Sequence, residues 1–163
     1  MIVFITGASA GFGAEMARTF VKHGHQVVIS GRRKDRLDAL AGELGDLALP
    51  LVMDGTDKAS IQDALSVLPQ SWRAIDVLIN NAGIAIIKKI HEHTSEEWDR
   101  VMNVNVKTIF WFARHVIPVM QKQGRGVILN TGSISSVVGL SMQGAYGPSK
   151  GAVIQLTRRW ATE

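Results

Sequence analysis

The sequence contains no cysteine, which excludes disulfide bonds, thiolate nucleophiles and zinc–thiolate centres. Its apolar runs are strand-sized, well short of the roughly 20 residues a membrane-crossing helix needs, so no membrane partner is expected. Long blocks of one charge sign are also missing. Lys and Arg number 18 against 14 Asp and Glu, for a formal net charge of +4. Most of the positive residues are dispersed among acids, and no aromatic–basic platform accompanies them, so no nucleic-acid partner is expected. The histidines are scattered without the spacing of a ligand set, and no metal is expected. No charged stretch precedes the apolar run that follows Met1, and a cytoplasmic chain is the expectation.

What is present describes a globular protein. Of 163 residues, 46% are hydrophobic and 20% charged, which rules out strong disorder. That length fills one well-buried domain and is too short for two, so one domain spanning 1–163 is expected. Short β-branched runs alternate with longer amphipathic stretches. Strands are predicted at 2–5, 26–29, 49–53, 76–79 and 126–130. Helices are predicted at 13–23, 34–44, 58–68 and 149–161. Thr94-Ser95-Glu96-Glu97 has the form of a capping box and opens a long helix to about residue 123. Gly124 is placed to end that helix and Pro118 to kink it. Such alternation means parallel pairing and right-handed crossovers, a doubly wound α/β sheet whose ligands sit at the C-terminal strand ends.

The first strand runs into Thr6-Gly7-Ala8-Ser9-Ala10-Gly11-Phe12-Gly13 and then a helix. Glycines there let the backbone turn tightly and approach a pyrophosphate, which the free N–H groups of the helix N-terminus would meet. The spacing G-x-x-x-G-x-G differs from the standard dinucleotide fingerprint. Roughly 20 residues further on, where an NAD enzyme places an acid against the ribose 2′-hydroxyl, this chain has Ser30-Gly31-Arg32-Arg33. Arg32 and Arg33 could pair with a 2′-phosphate, and NADP (as NADPH) is the expected cofactor. The plain alternative, a solvated helix start, accounts better for Lys34 and Arg36. Asp54 could accept a bond from an adenine amino group, or Asp54-Gly55 could be an ordinary turn. Asn81, Ala82 and Gly83 follow the fourth strand, where small residues would let a cofactor lie across the strand ends.

Ser133 closes the fifth strand, Tyr146 is the only tyrosine, and Lys150 lies about one helical turn beyond it. A free phenol has a pKa near 10, and a nearby cation favours its ionised form. The phenol could then pass a proton to or from a substrate oxygen, with Ser133 as a second donor to that oxygen. Ser133 lies in no nucleophile elbow and has no histidine placed as its base, so protease-type catalysis is not expected.

Taken together, T-G-x-x-x-G-x-G at Thr6–Gly13, N-N-A-G at Asn80–Gly83, Ser133 and Y-x-x-x-K at Tyr146–Lys150 resemble the short-chain dehydrogenase/reductase family over the whole chain. The resemblance implies a Rossmann-like sheet of order 3-2-1-4-5. It implies Tyr146 as acid/base, and Lys150 on the nicotinamide ribose, lowering the tyrosine pKa. Ser133 would orient the substrate oxygen, and Asn105 would hold a water in a relay to Lys150. Gly7, Ser9, Gly11, Phe12, Gly13, Arg32, Arg33, Asp54, Gly55, Asn81, Ala82, Gly83, Tyr146 and Lys150 would bind the cofactor. Hydride would pass between the nicotinamide and the carbinol carbon of a small-molecule substrate, in a homodimer or homotetramer. The first half is similar to NADP-dependent enzymes acting on serine and related 3-hydroxy acids. The second half is similar to 3-oxoacyl reductases and polyol dehydrogenases. Members of the family continue beyond the last helix with two further strands and a substrate-covering segment. The expectation for a chain ending at Glu163 is therefore a fragment or an unusual minimal form. The competing function is a nucleotide-binding or assembly module without turnover.

Overall fold

The computed structural model describes residues 1–162 and carries the predicted alternation. Strand β1 (Ile2–Thr6) leads to helix α1 (Gly11–Lys22), β2 (Gln26–Gly31) to α2 (Lys34–Leu44), and β3 (Ala48–Val52) to α3 (Lys58–Ser66). Then come β4 (Val77–Asn80), α4 (Ser95–Met102), a π-helical turn (Asn103–Lys107), α5 (Thr108–Gln123), β5 (Val127–Asn130) and α6 (Tyr146–Trp160). The sheet order is β3-β2-β1-β4-β5, as the resemblance implied, and β1 pairs in parallel with β2 and β4. Among the described residues no helix is long and apolar enough to cross a membrane.

The chain divides into two compact units. The first is Met1–Ala82 with Trp111–Leu129, and the second is Gly83–Phe110 with the stretch from Asn130 onward. The first unit holds two apolar cores, because successive strand residues point to opposite sides of a sheet. Phe4, Val28 and Leu78 join Ile61, Phe112, Val116 and Met120. Val3, Ile5, Val27, Ile29 and Ile79 join Ala14, Ala17, Leu37 and Leu40. Every residue of β1 is buried, which explains why the strand reads as an unbroken apolar run.

Asp76 ties β1 to the start of β4. The Ile2 amide donates to Asp76 Oδ2 at 2.8 Å, and Arg125 Nε donates to Oδ1 at 3.1 Å. Burial opposes the charged carboxylate, but the bonds from Ile2 and Arg125 outweigh it and hold its pKa below the ordinary 3.8. A depressed carboxylate stabilises the fold above its ordinary pKa, and that contribution is lost as pH falls through the folded value. Asp76→Ala strands the Ile2 amide, at an expected cost of about 1–3 kcal/mol. Urea midpoints at neutral pH should show that gap, and it should narrow with acidification. A gap that stays constant would mean that the charge is not responsible.

Four helices depart from the sequence expectation, α3 only by ending at Ser66. Helix α1 begins at Gly11, inside the glycine turn. Helix α6 begins at Tyr146 rather than at 149, because Pro148 falls in its first turn, where the missing N–H has no intrahelical acceptor to lose. The long helix opens on the expected box, with Thr94 Oγ1 accepting from the Glu97 amide at 3.2 Å and Glu97 Oε2 from the Thr94 amide at 3.2 Å. It ends at Gly124, whose φ is +66°. Pro118 lies inside α5, but the segment that leaves α-helical hydrogen bonding is upstream, at Asn103–Lys107.

Candidate functional site

In the first unit the glycine turn is braced from β4. Thr6 Oγ1 accepts from the amides of Asn81 and Ala82, both at 3.0 Å. Asn81 Nδ2 donates to the carbonyls of Thr6 at 3.1 Å and Gly7 at 3.2 Å. Gly7 has φ +67°, and a Cβ there would lie 2.9 Å from Ala82 Cα. A Cβ at Gly13 would lie 2.5 Å from the Gly7 carbonyl oxygen and 2.7 Å from Asn81 Nδ2. At Gly11 a Cβ would meet open space. The N-cap of α1 is Ala10, with no side-chain cap and no acid in the first turn, so no side chain of the cap satisfies the first-turn N–H groups. Phe12, beside them, is 82% exposed. Asn81 and Ala82, read as cofactor contacts, thus act within this unit as the seat of the turn. Gly83 opens the exposed segment beyond.

The end of β2 reaches the same turn. The Ala8 amide donates to the Ser30 carbonyl at 2.9 Å. Arg33 Nη2 and Nε donate to Ser9 Oγ at 2.6 and 3.1 Å, so a guanidinium and a hydroxyl stand together beside the glycine turn. Asp54 Oδ1 accepts from the Thr56 amide at 2.9 Å and the Thr56 hydroxyl at 2.7 Å. That arrangement is the turn alternative, closing over Gly55. Burial opposes the Asp54 charge, but the Thr56 bonds and nearby Arg32 outweigh it and hold its pKa below the ordinary value.

In the second unit the π turn carries Asn105, which is fully buried. Its Oδ1 accepts from the Ile84 amide at 2.9 Å, and its Nδ2 donates to the Ile84 carbonyl at 2.9 Å and to Ser149 Oγ at 2.9 Å. Ser149 Oγ in turn donates to the Tyr146 carbonyl at 2.7 Å. Both amide protons are committed, so the Asn105 side chain braces the first turn of α6, and a held water would need another of its atoms. Lys150 is 4% exposed. Its Nζ donates to the Thr131 carbonyl at 2.6 Å and lies 5.9 Å from the centre of the Tyr146 ring. Burial pulls its pKa below the ordinary lysine value. Ser133 Oγ accepts from the Ser135 amide at 3.2 Å, capping a short 3₁₀ turn.

One unit therefore presents a bare glycine turn with a basic, hydroxylated flank. The other presents a phenol with a buried ammonium one turn along its helix, together with a capped serine. Sequence reasoning did not single out Ser149 or Thr131. Ser149 left a signal in its i+3 spacing from Tyr146, where a serine hydroxyl can bond back to a helix carbonyl. Thr131 acts through a main-chain carbonyl, which leaves none.

A family model described as short chain dehydrogenase matches residues 1–163. The chain is 40% identical to an NADP-dependent 3-hydroxy acid dehydrogenase of Salmonella typhi over 164 residues, covering 100% of this chain and 66% of that protein. It is 36% identical to a 3-oxoacyl-[acyl-carrier-protein] reductase of Thermotoga maritima over 165 residues, covering 99% of this chain and 67% of that protein. Among solved structures it is similar to the closed form of a serine dehydrogenase complexed with NADP+, with TM-score 0.97, 37% identity, and 99% and 66% of the two chains covered. The chain thus spans about two thirds of the length of the curated relatives it matches.

Proposed function

This chain belongs to the short chain dehydrogenase family, and from that premise we propose that it is an NADP(H)-dependent oxidoreductase acting on secondary alcohols and their carbonyls. The observation that carries the reading is the Lys150 ammonium, buried and one helical turn from Tyr146. Burying a charge is costly unless it is partnered or used. When bound, the nicotinamide supplies or accepts the hydride. Tyr146 passes the proton to or from the substrate oxygen. Ser133 donates a hydrogen bond to the same oxygen as its charge develops. Lys150 holds the ribose hydroxyls, and Asn105 keeps the first turn of α6 in register through Ser149.

The uncapped first turn of α1 fits a pyrophosphate, since Gly11 leaves open space beside it and Gly13 lets the helix pack tightly on the turn. Ser9, Arg32 and Arg33 would hold the 2′-phosphate. Each guanidinium–phosphate bond contributes about 1.5–3 kcal/mol. Arg32→Asp with Arg33→Ile removes two such bonds and should therefore weaken NADPH binding by roughly a hundredfold or more and move the preference towards NADH. An unchanged NADPH/NADH ratio in paired titrations would remove the 2′-phosphate assignment.

The names of the relatives share one feature, a hydroxyl or oxo group at the third carbon of an acid or acyl chain, and a 3-hydroxy acid is the first choice for this chain. NADPH oxidation with a panel of 3-oxo acids and ketones, run beside NADPH binding by fluorescence, tests the reading. Binding without oxidation would favour the nucleotide-binding module instead. Assembly as a homodimer or homotetramer belongs to the same proposal, and light scattering decides it.

A further inference from the structure

We propose that Gln143 is a positioning residue for the Ser133 hydroxyl, acting through Ser135. The proposal rests on the oxidoreductase reading above. Ser135 is buried, and its Oγ donates to Gln143 Oε1. Ser133 Oγ accepts from the Ser135 amide at 3.2 Å and donates to Ser135 Oγ at 3.3 Å. The Ser133 amide donates to Ser136 Oγ at 3.1 Å. One lone pair of the Ser133 hydroxyl is thus filled by backbone. Its proton rests on a long bond to a neutral oxygen, which a substrate oxygen gaining negative charge would replace. Gln143 holds the neighbouring hydroxyl at the distance where this exchange needs no movement of Ser133.

The segment carrying Gln143 is held from three directions. Met142, just before it, has φ +63° and is the sole non-glycine with positive φ among the described residues. A bulky residue in that region is strained and persists where its surroundings impose the conformation. Gly144, just after it, has no room for a side chain, since a Cβ would lie 2.8 Å from Ile90 Cα and 2.9 Å from His93 Cδ2. The Gly144 amide donates to the Lys88 carbonyl at 3.1 Å, and the Gln143 carbonyl accepts from the Gly147 amide at 3.0 Å. Two adjacent loop positions are therefore tied down: Gly144 to the segment after β4, and Gln143 to the first turn of α6 through its carbonyl and to the serine turn through its side chain. Gln143 thus bonds the Ser133 segment through its side chain and the Tyr146 helix through its main-chain carbonyl.

A merely structural role predicts general loss, and a positioning role predicts loss that depends on Ser133. A double-mutant cycle separates the two, using the intact enzyme, NADPH and the best carbonyl substrate of the panel. Gln143→Leu should lower kcat roughly tenfold to a hundredfold, below the loss from removing an oxyanion donor outright, with NADPH affinity unchanged. In a Ser133→Ala background the same change should cost less than about twofold, because groups acting as a unit are not additive. Gln143→Glu keeps an acceptor for Ser135 and should recover most of the lost kcat. Losses that multiply, or wild-type kcat in Gln143→Leu, would overturn the proposal. Where Gln143→Leu does not fold by circular dichroism, Ser135→Ala replaces it in the cycle with the same expected outcomes. A wild-type enzyme with no NADPH-linked turnover removes the oxidoreductase reading and this proposal with it, whereas wild-type turnover with multiplied losses removes this proposal alone.

Discussion

Phenylalanine in place of Tyr146 should lower kcat by about 10²–10⁴-fold, with the fold and NADPH affinity close to wild type. The change removes one hydroxyl and keeps the ring. Its neighbours do not depend on that hydroxyl for their bonds. Ser149 Oγ bonds the main-chain carbonyl of Tyr146 at 2.7 Å, and Lys150 Nζ bonds the carbonyl of Thr131 at 2.6 Å. Lost turnover with retained binding would therefore isolate proton transfer from architecture. Steady-state NADPH oxidation and a fluorescence titration of the same preparation supply both numbers. A variant that keeps a substantial part of its kcat would show that Tyr146 is not the acid/base residue. Because the chain has a single tyrosine, the ultraviolet difference signal of phenol ionisation reports on this residue alone, and its disappearance in the variant is a built-in control.

Alanine at Gly13 should abolish NADPH binding and destabilise the first unit by about 1–3 kcal/mol or more, the usual cost of overpacking. The added Cβ would stand 2.5 Å from the Gly7 carbonyl oxygen, 2.7 Å from Asn81 Nδ2 and 2.9 Å from Ala8 Cα. Two of those atoms are backbone, so no side-chain rotation relieves the clash, and the turn must open. Gly11→Ala is the informative contrast. It meets no atom within 4 Å but holds φ +56°, so its cost is the roughly 1–2 kcal/mol of left-handed backbone, with the turn intact. Thermal midpoints and NADPH titrations on the two variants test the assignment. Equal binding by Gly13→Ala and wild type would mean that the turn's close packing does not hold the cofactor.

The parts of this protein that were readable in advance are those decided within a few residues of chain. The unbroken apolar runs of β1, β2 and β4 read as strands buried on both faces, and they are. The Thr94–Glu97 box could only open a helix. Tyr146 and Lys150 share a helical turn whatever else surrounds them. The glycine turn and the basic pair at Arg32 and Arg33 announced themselves by residue type, because few other residues tolerate those backbones or carry that charge. Even the sheet order came from the resemblance of these local motifs taken together.

What stayed hidden depends on partners far away in the chain. Asn81, an expected cofactor contact, also turns its side-chain amide to Thr6, 75 residues distant, and fastens the glycine turn. Asn105, the expected holder of a relay water, commits its side-chain protons to Ile84 and Ser149, the latter 44 residues distant. The π turn that carries Asn105 left no mark in the hydrophobic period. The Thr131 carbonyl beneath Lys150, and the Ser135–Gln143 bond, are likewise invisible until the loops meet. Residue type states what bonds a group can make. Only the close approach of distant segments selects which of them it makes, because a buried polar group takes whatever partner the packing brings within reach.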